Sequence, residues 1–350
     1  MRQRLLGIFL GLPVLFVPVS VLRAQGLSQT TLINRDAAVY SKDTGKIYLV
    51  DTVHNAVIVL SSSKPPSSIE VGASPIALAL NPRTGRIYVV DSGSRSVSVI
   101  DASTDKVVAT VPTAARPYAI AIDEAANKVY VSNTFSNMLS VIDGASNHVA
   151  NLPTGSADAI VVDSDRHRVY LFGYESDTLT ELDPATERTT KIPAGAMHLW
   201  GIARAGKTLY VSHVQDASIA AIDLETHALR NLPTGSMPCA IAINKTTGQV
   251  YVANYADGTV TILEKEERPT TVAVSPHPQA VALDEAAGLL YVASPQQNTV
   301  TVVDTQTRNV RQTYRNLDHP YAVVLMGETH AAYTVNLGNA PFTLLTTRDP

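Results

Sequence analysis

The sequence predicts an all-β chain, a β-propeller of eight four-stranded blades, and three observations predict it. Eight tyrosines (Tyr48, Tyr88, Tyr130, Tyr170, Tyr210, Tyr251, Tyr291 and Tyr333) recur 40 to 42 residues apart. Each lies in a short segment rich in Val, Ile and Leu, such as Arg86-Ile87-Tyr88-Val89-Val90, bounded by Gly, Asn, Asp or Pro. Third, apolar residues make up 45% of the 350 and charged residues 17%, with only five Phe and one Trp, so the apolar content is spread evenly as aliphatic side chains. A fixed period near forty residues with four strand signals per unit is how propeller blades appear in a sequence.

Within each unit the elements follow one order. Strand one is small and aliphatic (Pro75-Ile76-Ala77-Leu78-Ala79-Leu80), and a four- or five-residue turn leads to the tyrosine strand. After a polar loop come strand three (Ser96-Val97-Ser98-Val99-Ile100-Asp101), a turn, and strand four ending near Pro-Thr (Val107 to Thr113). The turn between strands one and two wants a residue at positive φ. Gly45, Gly85, Gly248 and Gly288 supply it, with Asn127 and His167 standing in elsewhere. Between strands three and four an Asp-x-x-Thr/Ser turn recurs at Asp101, Asp143, Asp183, Asp223 and Asp304, where the side-chain oxygen can satisfy backbone donors. Those aspartates are read as structural.

Strand four occurs seven times, because the chain stops after Pro341 to Thr346. Gln29 to Ile33 precedes the first strand one as each strand four precedes its successor, so it is expected to complete the last blade and close the ring. Seven blades is the alternative if a terminal repeat is degenerate.

The N-terminus reads differently from the repeats. Arg2 and Arg4 precede an apolar run from Leu5 to Leu22, broken by Pro13 and Pro18 and ending in Arg23-Ala24. This pattern predicts a signal peptide over residues 1–24, cleaved after Ala24, and a single propeller domain over 25–350, placed in the periplasm or outside the cell. An uncleaved membrane anchor is the alternative. After cleavage no membrane insertion is expected. Cys239 is the only cysteine, so no intrachain disulfide can form. Removing the signal leaves 24 basic against 31 acidic side chains, a charge of about −7. No net field attracts nucleic acid.

The segments Tyr130-Val131-Ser132-Asn133, Tyr251-Val252-Ala253-Asn254 and Tyr88-Val89-Val90-Asp91 resemble the signature of the YVTN family of β-propeller repeat proteins (YncE-like), as do the Pro-x-Ala-Ile-Ala-Ile-Asp, Val-Thr-Val-Ile-Asp and Pro-Thr-Gly segments. The resemblance runs from about Gln29 to Thr346. It implies an exported propeller of the binding or scaffold kind with no common catalytic centre. Gly173 and His213 depart from it, replacing the Asn or Asp of blades four and five, and no copy is a literal Tyr-Val-Thr-Asn.

Function is expected where the repeats differ. The loops joining strand four to strand one and strand two to strand three should gather on one face around the central channel. The residue before the Ala that opens strand one reads Asp36, Ile76, Tyr118, Asp158, Trp200, Cys239, Gln279 and Tyr321 around the ring. Three before that Ala stand Asn34, Ser74, Arg116, Ser156, His198, Met237, His277 and His319. Loops after the tyrosine strand add His54, Phe135, Tyr174, Glu175, His213 and Tyr255.

Rigid aromatic surfaces with a few polar groups suit ligand recognition. The same residues could instead fill the channel mouth. The leading expectation is a non-enzymatic, monomeric scaffold that binds a protein, peptide or glycan and carries no cofactor or metal. A lactonase or lyase using a divalent metal at Asp36, Asp158, His198, His277 and His319 is the competing reading. Single-stranded nucleic acid, stacked on Tyr118 and Phe135 beside Arg116, is the third. No Gly-x-Ser-x-Gly elbow, Walker loop or Cys-x-x-Cys is present. Trp200 alone cannot supply the blade-docking tryptophans of quinoprotein dehydrogenases.

Overall fold

The computed structural model describes residues 37–61, 64–264, 268–326, 330–338 and 340–345. The chain is all β: eight blades stand in a ring, an eight-bladed β-propeller. Within each blade consecutive strands pair antiparallel in the order one-two-three-four. Seven sheets have four described strands, and the eighth has three, Pro320–Met326, Ala331–Asn336 and Phe342–Leu345. The expected closing strand Gln29 to Ile33, the signal segment and Asp36 lie outside the described residues. Among the described residues no helix is long and apolar enough to cross a membrane.

Packing between neighbouring blades closes the ring. Tyr48 of blade one is buried with Leu78 and Ile87 of blade two, and Tyr88 with Ile120 and Val129 of blade three. Tyr170 packs against Leu199 and Leu209 of blade five. The last interface joins Tyr321, Val324 and Met326 of blade eight to Ile47, Leu49 and Leu60 of blade one. Six of the eight repeat tyrosines are essentially inaccessible, whereas Tyr210 and Tyr333 are half-buried. Each buried ring removes enough apolar surface to stabilise its interface by roughly 2 kcal/mol, which explains why every blade keeps one.

The Tyr48 hydroxyl reaches the turn between strands three and four of the next blade. Tyr48 Oη donates to Ala102 O at 2.9 Å and to Asp105 Oδ1 at 2.7 Å in the next blade. Burial pushes the Tyr48 phenol well above its ordinary range.

The turns hold as the residue types predict. Gly45 and Gly85 adopt φ of 65°, and Asn127 and His167 adopt 51°. Asp223 Oδ1 accepts the backbone N–H of Glu225 and Thr226, both at 2.9 Å, and Asp304 Oδ1 accepts those of Gln306 and Thr307.

A feature the sequence reading missed lies at the end of strand one. Buried polar residues there bond to the following blade: Asn81 Nδ2 donates to Asn127 Oδ1 at 2.9 Å, and Asp123 Oδ2 meets His167 Nδ1 at 2.7 Å. Asp284 Oδ2 meets His330 Nδ1 at 2.7 Å, and Arg204 bridges back to Asp163 at 3.1 Å. The stand-in residues of the turns therefore also staple blades together.

Candidate functional site

The channel face is built from a repeated backbone device. Six crossover residues lying three before the opening Ala, or before Gly201 in blade five, have left-handed backbones: Ser74, Arg116, His198, Met237, His277 and His319, with φ between 51° and 60°. This conformation turns the residue's carbonyl toward the strand two to three loop of the same blade. Ser92 N donates to Ser74 O at 3.0 Å, Thr134 N to Arg116 O at 3.1 Å, Tyr255 N to Met237 O at 2.9 Å and Leu337 N to His319 O at 3.1 Å. Histidine is among the residue types that tolerate such a backbone. The three histidines at this position thus have a backbone reason to recur.

The last residue of the tyrosine strand in blades two, three, five and six forms the layer beneath. Asn133 Nδ2 donates to Ser140 Oγ at 2.9 Å, and Asn254 Nδ2 to Thr261 Oγ1 at 2.8 Å. Those hydroxyls accept the N–H of the crossover loops, from Ala114 and Gly235. Asp91 does the equivalent in blade two, its Oδ2 accepting from Ser98 Oγ at 2.6 Å. Burial pushes the Asp91 carboxyl up to about 6. His213 fills the same place in blade five: it is fully buried, Nε2 meets Ala194 O at 2.7 Å and Nδ1 meets Ser218 Oγ at 3.2 Å. Burial lowers its pKa. The structure thus puts His213 inside the blade, as a tie to the crossover loop.

Above this layer five of the sequence-chosen side chains come together across blades four to seven. The Tyr174 ring meets the His198 ring edge-on at 5.2 Å and the Trp200 ring at 5.9 Å and 88°. Trp200 and Tyr255 both pack on the buried group of Cys239, Ala240 and Ala253, which makes the surface continuous from blade five to blade six. Tyr255 then meets His277 at 4.8 Å, and Gln296 Nε2 donates to the Tyr255 hydroxyl at 2.7 Å. His277 Nδ1 is buried with no hydrogen-bond partner among the described residues.

Trp200 owes its position to the residue beside it. Where most blades carry Ala, blade five has Gly201, and a Cβ there would collide with the Cys239 carbonyl. Its absence lets the inner strands of blades five and six approach closely, and Gly201 N donates to Ser212 Oγ at 2.6 Å.

The other candidates stand apart from this arc or support it. Asp158 is half-buried, and its Oδ2 accepts the Tyr174 N–H at 2.8 Å, so it positions the first ring of the arc. Gln279 is half-buried on blade seven, with its N–H on Ala293 O. Arg116 lies over the exposed Phe135 ring at 3.9 Å on blade three. Tyr118 packs into the interface of blades three and four. Tyr321 is buried between blades eight and one, and His319 is exposed beside Asp318 at 3.5 Å. Among the described residues no group of three His, Cys, Asp or Glu side chains is arranged to hold a metal ion.

A cavity of about 630 Å³ opens within the central channel. The inner strands of blades seven, eight, one, two and three line it, with Tyr40, Leu80, Ile122 and Leu325 on its wall and Pro82 and Glu124 at the turn side. Sequence reasoning did not single it out, because its walls are the repeating positions of strand one.

Solved structures share this architecture. The chain is similar to Kuenenia stuttgartiensis hydrazine synthase, with a TM-score of 0.61 and 17% identity over 92% of this chain and 98% of that one. It is also similar to the dihydro-heme d1 dehydrogenase NirN in complex with DHE, with a TM-score of 0.71 and 16% identity over 87% and 71% of the two chains. Streptogramin B lyase matches with a TM-score of 0.60 and 14% identity over 75% and 92%. The likeness is one of fold. No protein-family model matches the chain, and no curated protein matches it in sequence. The propeller is a scaffold on which unlike activities are built, so the side chains of this face must carry the functional argument.

Proposed function

We propose that this chain is an exported, YVTN-like propeller that acts as a non-enzymatic binding scaffold, holding a protein, peptide or glycan against the loops of blades four to seven. The observation that carries this reading is the arc of Tyr174, His198, Trp200, Tyr255 and His277, half-buried or buried rings in two contacting groups joined through Cys239, Ala240 and Ala253. Pre-positioned aromatic surface offers large contact area at little entropic cost, which suits recognition.

The competing lactonase or lyase would draw its metal ligands from Asp36, which lies outside the described residues, and from Asp158, His198, His277 and His319, which belong to separate crossover loops. His198 also packs against Tyr174 and His277 against Tyr255. Stacked nucleic-acid bases would have the platform of half-buried Arg116 over the exposed Phe135 ring.

Trp200 is the only tryptophan of the chain, so its fluorescence reports on this face alone. Titration with a panel of peptides and oligosaccharides is expected to shift or quench it, and Trp200→Ala to weaken the same ligand by about tenfold or more. Binding that leaves Trp200 fluorescence and affinity untouched by that substitution would remove the site from blades four to seven. Tightly held stoichiometric metal, lost on replacing His277 and His319, would favour the enzyme reading.

A further inference from the structure

The channel-face loops divide by charge. In blades four to seven the crossover segments 154–158, 194–198, 234–237 and 274–277 and the strand two to three segments 173–177, 214–217, 255–258 and 295–298 contain no Lys or Arg. They do carry the exposed carboxylates Glu175, Asp177, Asp216 and Asp257. The basic residues of the corresponding loops, Arg35, Arg95, Arg116 and Arg315, all belong to blades one, two, three and eight. The aromatic arc therefore lies wholly on the half of the face that is rimmed by acid and free of Lys and Arg.

This juxtaposition has a chemical meaning. Ring faces attract a cation through their quadrupole, and carboxylates at the rim attract it through its charge. An anionic ligand would meet repulsion from the same rim with no Lys or Arg to offset it. We infer that the ligand of blades four to seven is cationic, a Lys- or Arg-bearing segment of a peptide, whose charged groups lie against the arc and whose neighbouring backbone is held by the exposed loops. The inference rests on the scaffold reading above and narrows the ligand to one class. The half-buried Trp200 forms the platform, with the buried Tyr174 ring set edge-on against it, and Glu175 and Asp216, from the loops beside them in blades four and five, form the rim.

The test uses the full propeller, Trp200 fluorescence and calorimetry in parallel. The probes are a short Lys/Arg-rich peptide, peptides of equal length with Ser or Glu in those places, and a neutral oligosaccharide. The basic peptide is expected to quench Trp200 and release heat, with affinity falling steeply as salt shortens the screening length from about 10 Å at 0.1 M. The double substitution Glu175→Gln with Asp216→Asn is expected to weaken that peptide by roughly tenfold, with circular dichroism and Tm unchanged because both carboxylates are exposed. The Ser and Glu peptides are expected to give no signal.

Binding of the Ser peptide, the Glu peptide or the oligosaccharide at Trp200 without binding of the basic peptide overturns the cationic inference and leaves the scaffold reading standing. An unchanged affinity in the double variant also overturns it. Silence of every probe by both methods overturns both readings.

Discussion

Asp91 ends the tyrosine strand of blade two in full burial, at a position where blades three, six and eight carry Asn. The amides Asn133 and Asn254 make the same tie to strand three with no charge to desolvate. The folded chain raises the Asp91 carboxyl from 3.8 to about 6. It therefore binds this proton more tightly folded than unfolded. The resulting stability is complete below about pH 4 and is lost as pH rises through 6, a swing of roughly 3 kcal/mol. Urea denaturation is expected to show this group favouring pH 5 over pH 7.5, and Asp91→Asn to remove that contribution while raising stability at pH 7.5. His213 works in the opposite direction: burial lowers its pKa, so its contribution is present at neutral pH and lost as pH falls through the folded value. His213→Ala removes the bonds to Ala194 O and Ser218 Oγ and leaves a hole, with an expected cost of about 2–4 kcal/mol measurable as a lower Tm. The sequence singled out His213 for its chemistry, but burial depends on the crossover loop folding back over it, a contact 19 residues away.

At the scale of the element, strands and turns were legible because their physics is local. Alternating aliphatics, a Gly at positive φ and an Asp two or three residues before the amides it accepts each read within one hairpin. Contacts between blades were not legible, since they join residues some 44 to 46 apart, as in Asp123 with His167 and Asp284 with His330. His167→Gly keeps the left-handed turn but drops the staple, leaving the buried Asp123 without its partner in blade four. The expected cost is about 2 kcal/mol, and urea denaturation should show His167→Asn costing less. Gly201 is a second element-scale case, standing where the other blades carry Ala and not singled out in the sequence. Gly201→Ala is expected to push apart the inner strands of blades five and six, lowering stability by about 1–3 kcal/mol. The accompanying change in Trp200 emission would mark it as a change in the arc.

Across the whole molecule, the ring was readable as a period, and the interface between blades eight and one is where it closes. The expected role of Gln29 to Ile33 as outer strand of blade eight predicts a lower Tm when residues 29–33 are deleted, with no change when residues 1–24 are removed. The candidate site was half legible: comparing equivalent positions around the ring found its aromatics. Burial of Tyr321 and His213, and the charge division between the two halves, depend on which blades are neighbours and which loops cover them. The left-handed crossover residues carry a separate consequence. Their backbone is committed to the loop beside it, through bonds such as Thr134 N to Arg116 O, while their side chains point to no common partner. They behave as fixed sockets around a dial, each accepting a different plug without disturbing the dial itself. A library restricted to Gly, Asn, His and Ser at Ser74, His198, His277 and His319 should therefore yield mostly folded propellers with altered specificity, so one barrel of blades could be taught many partners.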